Sequence, residues 1–76
     1  MEHSPSEILG SRIRQRRKQL GLTQETLAAL ANVDRSYMGG VERGERNVTF
    51  GVLCEICKAL QCDVASLTSG LPGPPA

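Results

Sequence analysis

The sequence predicts an all-α protein, a compact bundle of five helices. Three observations indicate this class. Helix-forming Leu, Ala, Arg, Glu and Gln dominate the chain, and runs of β-branched residues are few. Apolar residues recur at helical spacing, and a capping residue precedes each such stretch. The chain has 76 residues, 39% of them hydrophobic, which is enough for one modest core. We expect one ordered domain over residues 6–69, between a flexible N-terminus (1–5) and a disordered Gly/Pro tail (70–76).

The first helix is predicted from its capping residues. Ser4 is placed to act as N-cap, Pro5 suits the first helical position, and Glu7 completes a capping box. The helix is expected to run to about Leu20. It ends at Gly21, because glycine adopts the left-handed backbone of a helix end at low cost.

The second and third helices follow closely. Thr23 is the predicted cap of the second helix. Its buried side is expected to consist of Leu27, Ala28, Leu30 and Ala31. The turn is formed by Asn32 and Val33, and Asn32 tolerates positive φ better than most residues. Asp34 then caps the third helix, which is expected to run to about Arg43.

The last two helices also begin at capping residues. Thr49 is the predicted cap of a helix from Phe50 to about Gln61. Asp63 caps a short final helix that is expected to extend through Leu67.

The second and third helices have the layout of a helix-turn-helix, which places the start of its second helix in the DNA major groove. Residues 12–47 resemble the lambda-repressor-like (XRE, Cro/CI-type) helix-turn-helix family of bacterial and phage regulators. The residues that carry the resemblance are Leu20-Gly21-Leu22-Thr23-Gln24-Glu25, Leu27-Ala28, Val41-Glu42-Arg43-Gly44 and Arg46-Asn47. Together with Asp34-Arg35-Ser36-Tyr37, the pattern is most similar to the controller proteins of restriction–modification systems. The resemblance implies a sequence-specific, homodimeric transcription regulator on a (pseudo)palindromic double-stranded DNA operator.

Base contacts are expected from the third helix. The candidates are Arg35, Ser36, Tyr37, Gly39 and Gly40. Arg35 lies in the first turn, where a guanidinium can bond O6 and N7 of one guanine. A phosphate contact or a solvated arginine is the alternative. Tyr37 could instead pack against the second helix. Gly39 and Gly40 would let the helix backbone lie deep in the groove, or they have no role.

Phosphate contacts are expected on either side of these residues. The candidates are Thr23, Gln24, Arg43, Arg46 and Asn47. Gln24 opens the second helix, where free backbone N–H groups favour an anion, and the resemblance implies the same role for its amide. Arg46 lies in a loop and could reach a base instead.

Arg17 and Glu42 are predicted to form a structural ion pair. Arg17 falls on the apolar stripe of the first helix, four residues after Ile13, and Glu42 falls one turn after Met38. A lone buried charge is costly, whereas a pair is tolerable. The pair would orient the third helix.

Charge is distributed unevenly although the net charge is only +1. One basic group lies on the first helix and comprises Arg12, Arg14, Arg16, Arg17 and Lys18. It is either part of a DNA-binding face or an ordinary solvated helix surface.

A second copy of the chain is the expected protein partner, because one recognition helix reads only a few base pairs. The interface candidates are Phe50, Val52, Leu53, Ile56, Leu60, Val64 and Leu67, some of which must belong to the intrachain core.

Nothing in the sequence indicates an enzyme, a cofactor or a small-molecule ligand. Cys54-x-x-Cys57 lies inside a predicted helix and lacks a second pair of ligands, so no metal site is expected. The third cysteine, Cys62, leaves an odd number, which suits reduced thiols and the cytoplasm. No apolar run approaches the roughly 18 residues of a membrane span.

Two other functions remain open. A protein-interaction module of the same fold, such as an antitoxin, is the first alternative, and a thiol-dependent enzyme or redox switch is the second. Neighbouring genes would distinguish the controller from the antitoxin, because an endonuclease–methyltransferase pair would favour the controller and a toxin gene would favour the antitoxin.

Overall fold

The structure is a computed structural model and describes residues 3–73. This part of the chain contains five α-helices. Their bounds are α1 Pro5–Gln19, α2 Gln24–Leu30, α3 Arg35–Glu42, α4 Phe50–Ala59 and α5 Val64–Thr68. This range contains no strand, so the all-α prediction is confirmed. Residues 1, 2 and 74–76 of the two predicted terminal segments lie outside the described range, and the predicted domain boundaries stay predictions.

The predicted capping residues precede their helices. The Ser4 hydroxyl accepts the Glu7 N–H at 3.1 Å, and the Ser4 N–H donates to Glu7 Oε1 at 2.9 Å, which completes the capping box. That backbone N–H holds the pKa of Glu7 below its ordinary value. Thr23 and Thr49 cap α2 and α4 through their hydroxyl oxygens. Asp63 caps α5, and the Ser66 N–H that it accepts lowers its pKa.

Left-handed residues end the first four helices. Gly21 has φ 70° after α1, and Asn32 has φ 60° after α2, as the sequence predicts. Gly44, with φ 77°, ends α3. A Cβ there would also lie 2.6 Å from Glu7 Cα, so both backbone angle and space require glycine. Gln61 adopts φ 57° after α4.

Three details of the prediction are wrong. Leu30 is 56% exposed rather than buried. It lies roughly 110° around α2 from the middle of the arc that Leu27, Ala28 and Ala31 bury. Asp34 occupies the N-cap position of α3, but its side chain makes no capping hydrogen bond. Helix α4 ends at Ala59, because the left-handed backbone at Gln61 cannot continue it.

The core lies between the helices: α1 packs on α3 and α5, α2 packs on α3 and α4, and α4 packs on α5. Its largest fully buried side chains are Ile13, Leu27, Met38, Ile56, Leu60 and Val41. Helix α3 packs against both α1 and α2, so its position is set from two sides. At the crossing of α1 and α3, Gly10 faces the carbonyl groups of Val41 and Glu42, and a Cβ would overlap the first of these.

Candidate nucleic-acid interface

The first turn of α3 is polar and exposed, and buried side chains later in the helix hold it in place. Met38 and Val41 are buried and fix one side of the helix. Arg35 and Ser36 are exposed at the first turn. Tyr37 is half-buried and packs against the core with its ring, so the packing alternative for Tyr37 holds in part. The structure therefore leaves Arg35 and Ser36 available to an outside partner at the start of α3.

Gln24 is the first residue of α2, and its side chain extends over α3. Its Nε2 donates a hydrogen bond to Glu42 Oε1 at 3.2 Å. Its Oε1 lies 3.3 Å from the point where a Cβ of Gly39 would stand, and Arg43 Nη1 lies 3.1 Å from the same point. The amide of Gln24 and the guanidinium of Arg43 are thus brought together over Gly39. Sequence reasoning missed the contact between Gln24 and Glu42.

The predicted ion pair between Arg17 and Glu42 is present. Arg17 Nε donates to Glu42 Oε2 at 2.7 Å, and Nη2 donates to Oε1 at 3.0 Å. Their side chains are 11% and 3% exposed. Arg17 Nη1 also donates to the carbonyl oxygen of Leu22 at 2.9 Å. Hydrogen bonding to Glu42 raises the pKa of Arg17 above its ordinary value. The charge of the Glu42 carboxylate is therefore balanced by Arg17 beneath the surface that α2 and α3 form. The same carboxylate accepts the hydrogen bond from Gln24.

Arg46 folds back from the loop after α3 onto the same helix. Its Cγ lies 2.8 Å from the position of a Cβ at Gly40. The carbon of its guanidinium lies 6.0 Å from the centroid of the Tyr37 ring, within the range of a cation–π contact. Arg46 thus joins Tyr37 on the side of α3 at Gly40, next to the side at Gly39 that Gln24 and Arg43 cover.

The remaining phosphate candidates already have partners within the chain. Arg43 Nε pairs with Glu45 Oε1 at 3.1 Å, and both side chains are exposed. Asn47 Oδ1 accepts the hydroxyl of Ser6 at 3.5 Å. The Thr23 hydroxyl accepts the Thr26 N–H and donates to Thr26 Oγ1 at 2.9 Å, so its proton is engaged in the cap. Arg43 and Asn47 retain further donors, and Thr23 is the weakest of the candidates.

Gly39 and Gly40 do not form an exposed strip of backbone, which disfavours the alternative in which the helix backbone lies deep in the groove. Both residues are buried. Gln24 and Arg43 cover Gly39, and Arg46 covers Gly40, because the missing side chains leave room for these longer ones. The surface above the two glycines is consequently polar and cationic side chain, not helix backbone.

Most of the basic side chains on α1 form hydrogen bonds or an ion pair within the chain. Arg12 Nη1 donates to the carbonyl oxygens of Leu67 and Ser69 at 3.1 and 2.8 Å. Arg16 donates to the carbonyl oxygens of Leu60 and Gln61 at 3.0 and 3.4 Å. These carbonyl groups end α4 and α5, where unpaired oxygens favour cations. Arg12 and Arg16 are therefore helix-end partners, whereas Arg14 and Lys18 are exposed.

Most of the predicted dimer-interface residues belong to the intrachain core. Leu53, Ile56, Leu60 and Leu67 are buried within the single chain, so they are the members of the set that belong to the intrachain core. Val52 and Val64 are half-buried against the same core. Phe50 is 72% exposed at the first position of α4. Phe50, with the outer parts of Val52 and Val64, is what remains for a partner.

The cysteines form no recognisable ligand set. No group of three or more His, Cys, Asp or Glu residues within residues 3–73 could hold a metal ion. All three cysteines are free thiols. Burial, with the nearby Cys62 as the next cause, raises the pKa of Cys57 to about 11. A thiol with that pKa is protonated at neutral pH and is a weak nucleophile.

None of the helices described here combines the length and the apolar character that crossing a membrane requires.

Comparison with known proteins relates this geometry to DNA binding. The helix-turn-helix family matches residues 13–67. The control protein C.SmaI of Serratia marcescens is 44% identical over 61 residues, which cover 80% of this chain and 73% of that protein. The restriction-modification controller protein C.AhdI from Aeromonas hydrophila is 46% identical, with a TM-score of 0.79 over 80% of this chain and 92% of that one. A nucleoprotein complex of C.Esp1396I contains a chain that is 35% identical, with a TM-score of 0.76 over 87% of this chain and 86% of that one.

Proposed function

We propose that this chain, which belongs to the helix-turn-helix family and is a DNA-binding transcription regulator, acts as a homodimer on a two-fold symmetric operator and serves a restriction–modification system as its controller protein. The observation that carries the proposal is one face of α3. There, Gln24 and Arg43 lie over Gly39, one turn after the exposed Arg35, and Arg46 lies over the adjacent Gly40. The resemblance to C.SmaI and C.AhdI supports the controller assignment.

Arg35 is the proposed base reader. It projects from the first turn of α3, and its guanidinium has the paired donors that O6 and N7 of guanine accept. Ser36 and Tyr37 lie beside it and complete the surface offered to the major groove. The negative charge of Glu42, which lies on the same helix, is buried in its pair with Arg17.

Gln24, Arg43, Arg46 and Asn47 are the proposed phosphate contacts. Gln24 keeps one amide hydrogen after bonding Glu42, and it stands at the N-terminus of α2, where N–H groups favour an anion. Arg43 and Arg46 follow α3 in the sequence and add positive charge near its C-terminal end. Such contacts position the protein on the duplex without reading its sequence.

Two copies are needed for a useful operator. Subunits related by a two-fold axis would present their α3 helices about 34 Å apart, one turn of the duplex. The exposed Phe50 on α4 supplies an apolar contact for that partner. The proposed function requires neither a cofactor nor an enzymatic activity. We place the protein in the cytoplasm with its DNA.

Selection of bound sequences from random duplex DNA tests the proposal. We expect an inverted repeat with half-sites about one helical turn apart. Arg35→Ala should weaken specific binding by about 1–3 kcal/mol and relax one base position. Arg43→Ala should weaken binding to every sequence alike and lower the salt slope by about one.

Arg14→Ala is the matched control, because it removes the same charge from an exposed position on α1. It should leave the selected motif unchanged. Recovery of no motif, with only weak and salt-sensitive binding, would refute the operator proposal and favour the protein-interaction module.

A further inference from the structure

Residue 40 of α3 has no side chain at the point where the side chain of Arg46 crosses the helix. A Cβ on Gly40 would stand 2.8 Å from Arg46 Cγ, 3.5 Å from Nε and 3.7 Å from Cδ. Carbon atoms that are not bonded to each other pack at about 3.5–4.0 Å. The close approach of Arg46 to α3 is therefore possible only because residue 40 is glycine.

The same glycine anchors the loop that carries Arg46. The N–H of Glu45 donates to the carbonyl oxygen of Gly40 at 2.8 Å. Beyond Gly40, the guanidinium of Arg46 reaches the ring of Tyr37, which lies three residues earlier and hence on the same side of α3. The backbone bond and the bare helix surface together direct Arg46 toward the first turn.

We propose that Gly40 is a positioning residue for DNA recognition, which acts by holding Arg46 against Tyr37 so that the two side chains meet the duplex as one preformed unit. This inference rests on the proposed contact of Arg46 with DNA. Its physical basis is preorganisation, because a long side chain that is already ordered loses less conformational freedom on binding. An arginine free to rotate would have to be ordered by the DNA itself.

Gly40→Ala tests the proposal without weakening the helix. Alanine is the better helix former, so the fold is expected to persist with equal or higher stability. The added methyl group must displace Arg46, which is a flexible side chain and can yield. We expect specific affinity to fall about three- to tenfold, the cost of ordering one long side chain on binding.

A nuclear magnetic resonance measurement on the free protein separates the packing from DNA binding. Tyr37 is the only tyrosine of the chain, so its ring protons can be assigned without ambiguity. Nuclear Overhauser effects between that ring and the Arg46 side chain are expected in the unaltered protein and should be lost in Gly40→Ala. Their absence from the unaltered protein would overturn the proposal.

Two further variants show whether Gly40 acts through Arg46. Gly51→Ala is the matched control, because it adds the same methyl group to a helical glycine with nothing within 4 Å, and it should bind DNA normally. In an Arg46→Ala background, Gly40→Ala should cause no additional loss. A full additional loss there, or unchanged affinity of Gly40→Ala alone, would overturn the proposal. If the unaltered protein selects no operator, the proposed function itself fails, and the role of Gly40 in recognition fails with it.

Discussion

The carboxylate of Glu42 links a buried pair to the surface of the molecule. Arg17 holds it from below with two hydrogen bonds, and Gln24 bonds it from above. The sequence predicts the pair, because each charged residue falls on an apolar helix face and a lone buried charge is costly. It does not predict the bond to Gln24, since that depends on how far α2 lies from α3.

Breaking this network should separate stability from DNA binding. We expect Arg17→Met to lower the free energy of unfolding by about 3–5 kcal/mol, because Glu42 is left charged and buried. The double variant Arg17→Met/Glu42→Leu should regain most of that loss, since apolar residues of similar volume replace the pair. Urea denaturation measures both changes.

The same double variant examines the positioning of Gln24. With its acceptor removed, the amide of Gln24 is free to rotate, and we expect operator affinity to fall about three- to tenfold in a folded protein. Operator affinity equal to that of the unaltered protein would show that Gln24 does not depend on Glu42.

The three cysteines should differ in reactivity. Cys57 is buried with a pKa of about 11 against an ordinary 9.0, so its thiolate fraction at neutral pH is roughly a hundredfold lower. We expect a disulfide reagent to modify Cys54 and Cys62 of the native protein quickly and Cys57 slowly. Cys57→Ala should abolish only the slow phase, and a single rate for all three thiols would contradict the expectation.

At the scale of the helices, local sequence determines starts and ends well. The capping residues before α1, α2 and α4 act through side-chain oxygens that reach N–H groups three residues away, so their signals are local. Burial is less predictable. Leu30 is as apolar as Leu27, yet only the partner helices decide which side of α2 is covered.

Gly10→Ala is expected to disturb the crossing of α1 and α3. The new Cβ would overlap the carbonyl oxygen of Val41 and lie 2.6 Å from that of Glu42. Both are backbone atoms, so one helix must move. We expect the free energy of unfolding to fall by about 1–3 kcal/mol, as for other overpacked sites.

Gly51→Ala provides the comparison for this crossing. It makes the same change in an exposed helical glycine and should raise stability by about 0.5–1 kcal/mol. Equal stability of both variants in urea denaturation would mean that α1 and α3 separate at little cost.

At the scale of the whole molecule, contacts between distant parts of the chain escape sequence reasoning. Arg12 and Arg16 are separated by 44 to 57 residues from the carbonyl groups that they bond. Their spacing predicts a basic helix face equally well. For the same reason, the seven interface candidates could not all be divided between the core and a partner before the packing of α4 and α5 was known.

The predicted dimer depends on which apolar side chains stay outside this core. Two large hydrophobic residues are exposed in the described part of the chain, Leu30 on α2 and Phe50 on α4. We expect Phe50→Glu to weaken self-association by at least about thirtyfold, because a charge replaces the exposed aromatic residue of the proposed interface. A two-fold axis repeats the substitution in the partner subunit. Sedimentation equilibrium measures the change.

Leu30→Glu is the matched control for that experiment, since it places the same charge on the other exposed hydrophobic residue. Both variants are expected to fold, because neither side chain is part of the core and surface substitutions cost little. If only Phe50→Glu dissociates the dimer, operator binding should become weaker and less cooperative in that variant alone, because each α3 then binds its half-site separately. If Leu30→Glu dissociates it instead, the partner docks on α2, and the predicted interface on α4 is wrong.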